Sequence, residues 1–185
     1  KLYRKVVGQL LWLSNLRADI IYAGKELSKG LTGPTGDNFA KLRHLVKHLS
    51  GTKTFVQQLR PNVKLSPQHK GIDINCFVDS DWAGDPDSRK STSGDSLFVL
   101  ANITAHSRAQ QFVALSNGET ELYAIGGGVA DSLFIRSLVT ESRLFSKANI
   151  CVFADSTAGK SMAGRFGTSR KTKHVELRYL YEIGR

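Results

Sequence analysis

An apolar, strand-like run near the middle of the chain ends in two acidic residues. Residues 74–84 read INCFVDSDWAG, so the run closes on Asp79 and Asp81 where an ordinary turn has Gly, Asn or Pro. Side chains alternate between the two faces of a strand, so we expect Asp79 and Asp81 on one face and Ser80 on the other. A carboxylate held at the end of a stiff strand is well placed to bind a metal ion.

Further acidic residues stand at the ends of other predicted elements. Glu119 and Glu121 begin a predicted helix, Asp155 closes a second apolar run, and Glu176 follows the basic segment 170–174. In a chain of net charge +10, this placement of the acids indicates a divalent cation that faces a phosphate.

The charge balance indicates a polyanionic partner. Lys and Arg number 26 against 16 Asp and Glu, which favours nucleic acid, with solubility alone as the alternative.

The 185 residues, 41% of them hydrophobic, suffice for one ordinary domain and a smaller one. No uncharged apolar run reaches the roughly 18 residues of a membrane span, and no signal-peptide pattern is found, so we expect a soluble intracellular protein. Cys76 and Cys151 lie within apolar runs, which predicts two buried thiols.

Residues 1–60 predict a small helical unit. Apolar residues at helical spacing predict helices over 3–13 and 19–31. A third helix is expected to begin after Thr35, as its N-cap, and to end at Ser50. Its outer face carries several basic residues, so this unit should have a basic surface.

The second unit, residues 72–185, predicts an α/β fold with a mixed sheet. A short strand at 54–59 and a polar linker with two prolines at 61–71 precede it. Three strands joined by short turns indicate an antiparallel meander, and a strand that follows a long helix indicates a parallel neighbour reached by a crossover. The predicted strands are 72–79, 95–101, 103–107 or slightly longer, and 150–154. The predicted helices are 118–145, 157–165 and one from about Val175.

Parallel pairing of the first and fourth strands would bring Asp79 and Asp155 to one edge of the sheet, where the crossover helix supplies Glu121. Three carboxylates so placed would repel one another without a cation, and Mg²⁺, a hard ion, prefers oxygen ligands. Two Mg²⁺ ions about 3.5–4 Å apart can activate water and stabilise the leaving oxygen of a phosphodiester. The alternative for each acid is a solvated end of an element.

Four acidic motifs follow one another in the second unit. The first is CFVDSDWAGD at 76–85, followed by RKSTSG at 89–94, and the second is VALSNGETELYA at 113–124. The third is FADS at 153–156 and the fourth is KHVELRY at 173–179. In this order the motifs closely resemble the ribonuclease H domain of copia-type retrotransposon polyproteins.

The first unit carries further matching stretches. They read YR at 3–4, GQLLWLS at 8–14, RADI at 17–20 and LSGT at 49–52. They are similar to the region that follows the polymerase palm in the same polyproteins, which is thumb-like and connects to ribonuclease H. The resemblance thus covers nearly the whole chain.

The resemblance implies an endoribonuclease that hydrolyses the RNA strand of RNA–DNA hybrids by a two-metal mechanism during reverse transcription. It implies that Asp79, Glu121 and Asp155 are catalytic and bind two Mg²⁺ ions, with Asp79 between the ions and Mn²⁺ as a substitute. Glu176 stands where the family has its final acidic metal ligand. His174 lies in the loop that carries a histidine assisting product release, and a surface histidine is its alternative.

The choice of ligands leaves one alternative open. Asp81 shares the strand face of Asp79, and Glu119 lies two residues before Glu121, so a shift of register would exchange the ligands. Their spacing from the neighbouring aromatic residues favours Asp79 and Glu121.

Hydroxyl and basic groups near the carboxylates are expected to hold the substrate. Such groups can bind a phosphate backbone without reading sequence, and the 2′-hydroxyl distinguishes RNA from DNA. The expected partners are the RNA–DNA hybrid and the polymerase domain of the same polyprotein, with no membrane, in a cytoplasmic retrotransposon particle or the nucleus. The expected substrate-binding residues are Arg89, Lys90, Ser91, Thr92, Ser116, Asn117 and Ser156.

Two other functions fit parts of the sequence. A ribonuclease H fold that binds hybrid without cleaving it would keep the basic surface. A nucleotide-binding P-loop would use residues 154–161, which follow a predicted strand and open a helix. That loop begins with Ala154 instead of Gly, and Asp155 would place a negative charge where phosphates must bind.

Overall fold

The computed structural model describes residues 1–55, 71–143 and 145–163. The chain divides into two compact units: a helical one at the N-terminus, with which Thr104–Ser107 is grouped, and an α/β unit that holds the remaining described residues.

The helical unit contains three α-helices, as the sequence predicted. Helix α1 spans Leu2–Leu13, α2 spans Ile21–Ser28 and α3 spans Gly36–Gly51. The helix expected over 19–31 is wrong in its bounds, because a short 3₁₀ turn, Ala18–Ile20, takes its first residues. The buried core of the unit consists of Tyr3, Val7, Leu10, Ile20, Leu27, Leu42 and Leu45.

The predicted N-cap of α3 is confirmed. The Thr35 hydroxyl accepts the backbone N–H of Asn38, and the Asn38 side-chain oxygen accepts the backbone N–H of Thr35 at 2.9 Å. This reciprocal pair satisfies donors that the first turn of a helix leaves without partners. The basic residues predicted on the outer face of α3, Lys41, Arg43, Lys47 and His48, are all exposed.

An ion-pair network joins the 3₁₀ turn to the end of α3. Arg17 donates to both carboxylate oxygens of Asp19 at 2.7 and 2.8 Å, and to the Thr52 hydroxyl at 2.8 Å. The His48 ring nitrogen Nε2 lies 2.8 Å from the Asp19 carboxylate. The Arg17 guanidinium, followed by His48, holds the pKa of Asp19 well below its ordinary value.

The α/β unit confirms the predicted mixed sheet, which is consistent with a ribonuclease H-like fold. Among the described residues the strand order is β3-β2-β1-β4, with β1 antiparallel to β2 and parallel to β4. Helix α4 lies between β3 and β4 in the chain, so it is the crossover that parallel strands need. The elements are β1 Gly71–Ser80, β2 Thr92–Val99, β3 Ala101–Ala109, α4 Asn117–Glu141, β4 Lys147–Ala154 and α5 Thr157–Ala163.

Several predicted bounds differ from the structure. Strand β3 is longer than expected at both ends, and β4 begins at Lys147 instead of residue 150. Strand β2 begins at Thr92, three residues before the expected start, because Gly94 and Ser93 continue the pairing with Asp79 and Ser80 of β1. The β2–β3 turn falls at Leu100, whose φ of 64° reverses the chain where a strand was expected to continue. Helix α4 ends at Glu141, before Arg143 with its φ of 57°, instead of continuing to residue 145.

A glycine lets α4 pack closely on the sheet. A Cβ atom on Gly128 would lie 2.5 Å from Val78 Cγ1 and 2.9 Å from Cys76 Sγ, so no side chain fits there. Burial raises the pKa of the Cys76 thiol to about 11. The core of the unit consists of Ile74, Cys76, Val78, Leu97, Ala124, Ile125 and Ala154.

Helix α4 is long and apolar enough to cross a membrane by length and composition alone. Core helices of globular proteins also meet these criteria, and the first half of α4 is almost entirely buried. The helix carries Glu119, Glu121 and Asp131, so it does not contradict the expectation that no uncharged apolar run of this length exists.

The opposite face of the sheet carries an aromatic cluster. The rings of Phe77 and Phe153 stack with their centroids 4.9 Å apart, and Phe98 meets Phe77 edge-on at 5.6 Å. Cys151 is exposed, so the prediction that it is buried is wrong. It pairs in register with Asn75, and strand alternation therefore places it on the face away from the α4 core.

Several sequence predictions lie wholly or partly outside the described residues. They are most of the linker at 61–71, most of the strand at 54–59, the last residues of the helix at 157–165, the helix from about Val175, and the candidate residues His174 and Glu176.

Candidate metal centre

Three carboxylates from distant parts of the chain lie together in the α/β unit. Asp79 is the penultimate residue of β1, Glu121 lies near the start of α4, and Asp155 directly follows β4. One carboxylate oxygen from each lies within 4.8 Å of the other two. Asp79 and Asp155 are exposed, whereas Glu121 is only 4% exposed.

The sheet register explains why these residues meet. Val78 of β1 pairs with Ala154 of β4 in a parallel ladder, so Asp79 and Asp155 both follow directly from that pair. Helix α4 begins nearby with Ser116 as its N-cap, whose hydroxyl accepts the backbone N–H of Glu119 at 3.3 Å. The helix thus contributes Glu121 to the edge where the two strands end.

The electrostatics of the cluster favour a bound cation. Burial raises the pKa of Glu121 above its ordinary value, the charges of Asp79 and Asp155 raise it further, and the neighbouring Ser80 hydroxyl opposes them. Within the described part of the chain, Glu121 Oε2 is buried without a hydrogen-bond partner. A divalent ion would supply both the missing partner and the missing positive charge. The donors are all carboxylate oxygens, which are the ligands that Mg²⁺ and Mn²⁺ prefer.

The geometry distinguishes the predicted ligands from their neighbours. Asp81 Oδ1 accepts the backbone N–H of Thr92 at 2.6 Å, so this carboxylate closes the turn after β1. Glu119 accepts the Leu115 backbone N–H at 2.8 Å and the Tyr123 hydroxyl at 2.6 Å. These two acids therefore hold local structure, and the grouping of carboxylates favours the register that the sequence indicated.

Four of the residues expected to bind substrate lie between β1 and β2 or at the first position of β2. Arg89 is exposed with a φ of 56°, and Lys90 is partly exposed. Ser91 is fully buried and its hydroxyl accepts the Ala83 backbone N–H at 2.9 Å. This internal contact differs from the phosphate contact expected of Ser91, because a fully buried hydroxyl cannot reach a polyanion. The Thr92 backbone N–H is bound to Asp81, as described above.

The other expected substrate residues cap helices beside the carboxylates. Ser116 caps α4 and is followed by the exposed Asn117. The Ser156 hydroxyl accepts the backbone N–H of Gly159 at 3.1 Å in the first turn of α5. Their contact with substrate stays a prediction.

Sequence reasoning missed three residues that touch Glu121 or its neighbour. The Ser80 hydroxyl donates to the Thr120 hydroxyl at 2.9 Å, and Gly159 of α5 packs against the Cβ of Glu121. For Ser80 and Thr120 the available signal was adjacency to an acidic residue, since Ser80 follows Asp79 and Thr120 precedes Glu121. Only the tertiary structure shows that they meet.

The chain is similar to segments of retrotransposon polyproteins. It is 28% identical over 178 residues to the Retrovirus-related Pol polyprotein from transposon RE2 of Arabidopsis thaliana. It is also 28% identical over 180 residues to that from transposon TNT 1-94 of Nicotiana tabacum. Each alignment covers 96% of this chain but only 12% and 13%, respectively, of the polyproteins.

A third relative is shorter. The chain is 34% identical over 124 residues to the Uncharacterized mitochondrial protein AtMg00810 of Arabidopsis thaliana, covering 66% of this chain and 49% of that protein. No family model and no solved structure matches the chain. The polyprotein similarity nevertheless spans both units, which confirms the retrotransposon Pol part of the resemblance drawn from the motifs.

Proposed function

We propose that this chain is the ribonuclease H segment of a retrotransposon Pol polyprotein and hydrolyses the RNA strand of RNA–DNA hybrids. The observation that supports this most is the meeting of Asp79, Glu121 and Asp155 from three elements at one edge of a mixed sheet. Similarity to Pol polyproteins along almost the whole chain agrees with this role.

The three carboxylates would hold the metal ions. When bound, a pair of divalent cations activates a water molecule and stabilises the leaving oxygen of the phosphodiester. Asp79, Glu121 and Asp155 would each offer a carboxylate oxygen to the ions. Glu176 is proposed as a fourth ligand and His174 as an aid to product release. The buried Glu121 keeps the donor set in place, because its side chain is enclosed by packing.

The basic character of the chain suits the hybrid. The net charge of +10 attracts phosphates, and Arg89 and Lys90 lie in the turn that follows Asp79. Contacts from these residues, Asn117 and the hydroxyls of Ser116 and Ser156 would follow the backbone without reading bases. The substrate would thus be recognised by shape and by the 2′-hydroxyl of its RNA strand.

The P-loop alternative fits the structure poorly. The Ser156 hydroxyl already accepts the backbone N–H of Gly159, which a phosphate would have to bind. Asp155 adds negative charge at the same place and belongs to the carboxylate cluster. A hybrid-binding module without catalysis remains the second candidate, because the basic surface alone would suffice for binding.

A cleavage assay tests the proposal. The full chain is incubated with Mg²⁺ and a hybrid that is labelled on either its RNA or its DNA strand, beside RNA and DNA duplexes of the same sequence. We expect cuts only in the RNA strand of the hybrid. Asp79→Asn should lower the rate by at least about 100-fold, since charge stabilisation worth several kcal/mol is lost.

The exposed Asp87 in the turn after β1 offers a matched control, because Asp87→Asn removes an equal charge outside the cluster. Retained hybrid binding by Asp79→Asn would show that the loss is catalytic. Binding of hybrid without cleavage by the unaltered chain would instead support the non-catalytic module.

A further inference from the structure

Two hydroxyl groups meet directly beneath the carboxylate cluster. The Ser80 hydroxyl donates to the Thr120 hydroxyl at 2.9 Å across a sequence separation of forty residues. Ser80 ends β1 directly after Asp79, and Thr120 directly precedes Glu121 in α4. The pair therefore joins the backbone segments that carry two of the three acids.

Thr120 has a fixed position and a fixed hydrogen-bond direction. It is fully buried, and its own hydroxyl proton goes to the Asn117 carbonyl oxygen at 2.9 Å. The buried Gln110 side chain donates to the Thr120 carbonyl oxygen and to the Ser93 hydroxyl, both at 2.9 Å. Thr120 therefore accepts from Ser80, and it is held from the side of β2 as well.

The Ser80–Thr120 contact links the two acids through the backbone. The single proton of the Ser80 hydroxyl goes to Thr120, so the contact joins the residue after Asp79 to the residue before Glu121. Glu121 Oε2 is buried and has no hydrogen-bond partner among the described residues. This oxygen is therefore available to a ligand.

We propose that the Ser80–Thr120 hydroxyl pair positions the Glu121 carboxylate beside Asp79 and thereby sets the affinity of this site for divalent metal. The inference rests on the proposed metal centre but not on nuclease activity. Both residues act through Glu121, so they are positioning residues. Without the pair, the start of α4 that carries Glu121 would lose its hydroxyl contact with the end of β1 that carries Asp79. Residues that orient metal ligands in this way change metal affinity by about 10–100-fold when they are removed.

A calorimetric titration of the full chain with Mn²⁺ alone tests the inference. Thr120→Val removes the hydroxyl but keeps the shape of the side chain, whereas Thr120→Ser keeps the hydroxyl. We expect Thr120→Val to raise the Kd for Mn²⁺ by about 10-fold or more. The Kd of Thr120→Ser for Mn²⁺ should stay within about threefold of that of the unaltered chain, which is well below the 10–100-fold change expected when such a group is removed. Thermal melting without metal shows whether each variant is folded.

A second threonine of the same helix offers a matched control. The Thr140 hydroxyl donates to the Arg136 carbonyl oxygen in the exposed last part of α4, so Thr140→Val removes an equivalent group far from the acids. Its Kd should not change. If Thr120→Val does not fold, Ser80→Ala at a partly exposed strand end makes the same test and should raise the Kd as well.

Three outcomes would overturn the inference. They are an unchanged Kd in folded Thr120→Val or Ser80→Ala, equal losses in Thr120→Val and Thr120→Ser, and absence of Mn²⁺ binding by the unaltered chain. A chain that binds Mn²⁺ with the expected order of affinities but leaves hybrid intact would contradict the nuclease function alone. The two proposals therefore fail separately.

Discussion

A Cβ atom on Gly159 would lie 2.7 Å from the Cβ atom of Glu121, so α5 approaches α4 at the residue that completes the carboxylate cluster. The same atom would lie 3.3 Å from Ile125 Cδ1. Gly159 is buried, and it lies four residues after Asp155. The absence of a side chain at Gly159 thus allows α5, which follows Asp155, to lie close to Glu121 of α4.

Gly159→Ala should separate α5 from α4 and disturb the cluster. The added methyl group meets a Cβ atom, which cannot move without the helix backbone, so we expect about 1–3 kcal/mol of destabilisation and weaker Mn²⁺ binding. Urea unfolding and calorimetry measure the two effects. Lys160→Ala, at the next and exposed position, is the control and should change neither. Stability and Mn²⁺ affinity equal to those of the unaltered chain would refute the close packing of α5 on Glu121.

The close contact of α4 with β1 leads to a similar prediction, for which the neighbouring Gly127 is the control. Gly128→Ala places a methyl group against Val78 and Cys76 and should destabilise the chain by about 1–3 kcal/mol. Gly127 has nothing within 4 Å of its added Cβ, so Gly127→Ala should be neutral or stabilising by up to about 1 kcal/mol. Denaturant unfolding of the two variants is the measurement. Equal effects in both would contradict the observed packing.

The raised pKa of Glu121 predicts that metal stabilises the chain more at higher pH. Burial is the main cause of the shift, and the charges of Asp79 and Asp155 add to it. A carboxyl whose pKa is raised on folding contributes stability below its unfolded value, about 4.3, and loses it as pH rises through the folded value. Metal binding needs the ionised form, so proton and cation compete.

We therefore expect Mg²⁺ to raise the Tm more at pH 8 than at pH 5. Thermal melts with and without Mg²⁺ at both pH values measure this difference. Glu121→Gln cannot ionise at this position, so its Mg²⁺-dependent gain in Tm should be small at both pH values. A gain in the unaltered chain that does not depend on pH would argue against competition at Glu121.

The lowered pKa of Asp19 predicts the opposite dependence in the helical unit. Arg17 is the main cause of the shift, and His48 contributes. Stability from a carboxylate with a depressed pKa is present above its unfolded value, about 3.9, and is lost as pH falls through the folded value. Asp19→Asn should therefore lower the free energy of unfolding at pH 7, and the difference should be smaller at pH 2.

Urea unfolding followed by helical circular dichroism at pH 7 and at pH 2 measures this difference. Asp37→Asn is the matched control, because Asp37 is more exposed and pairs with Lys41 only on the surface of α3. A difference between Asp19→Asn and the unaltered chain that is the same at both pH values would show that the ion pair with Arg17 does not supply it.

Patterns along the sequence predicted the order of elements well, because each pattern has a local cause. The Thr35 cap and the alternation of apolar residues in β1 are local, and parallel pairing of β1 with β4 follows from the length of the crossover through α4. Asp79, Glu121 and Asp155 could be grouped from these features alone. The start of β2 was wrong because Ser93 and Gly94 pair with Ser80 and Asp79 of β1, and the local sequence cannot show this pairing.

The supporting residues of the site depend on contacts between distant segments. Gly159 looks like part of a phosphate-binding loop in the sequence, whereas in the structure it gives Glu121 room. Ser91 looks like a phosphate ligand, whereas it closes a turn through Ala83. Cys151 looks buried because its neighbours are apolar, and only the pairing of β4 places it on the outer face.

Anomalous diffraction from crystals of the full chain soaked with Mn²⁺ is the most direct test of the metal centre. We predict anomalous peaks within coordination distance of the carboxylate oxygens of Asp79, Glu121 and Asp155, and their loss in Asp79→Asn. Side chains of these three residues that face the same Mn²⁺ ions would establish the centre. Mn²⁺ bound only elsewhere, or no peak near the three carboxylates at saturating Mn²⁺, would contradict the account.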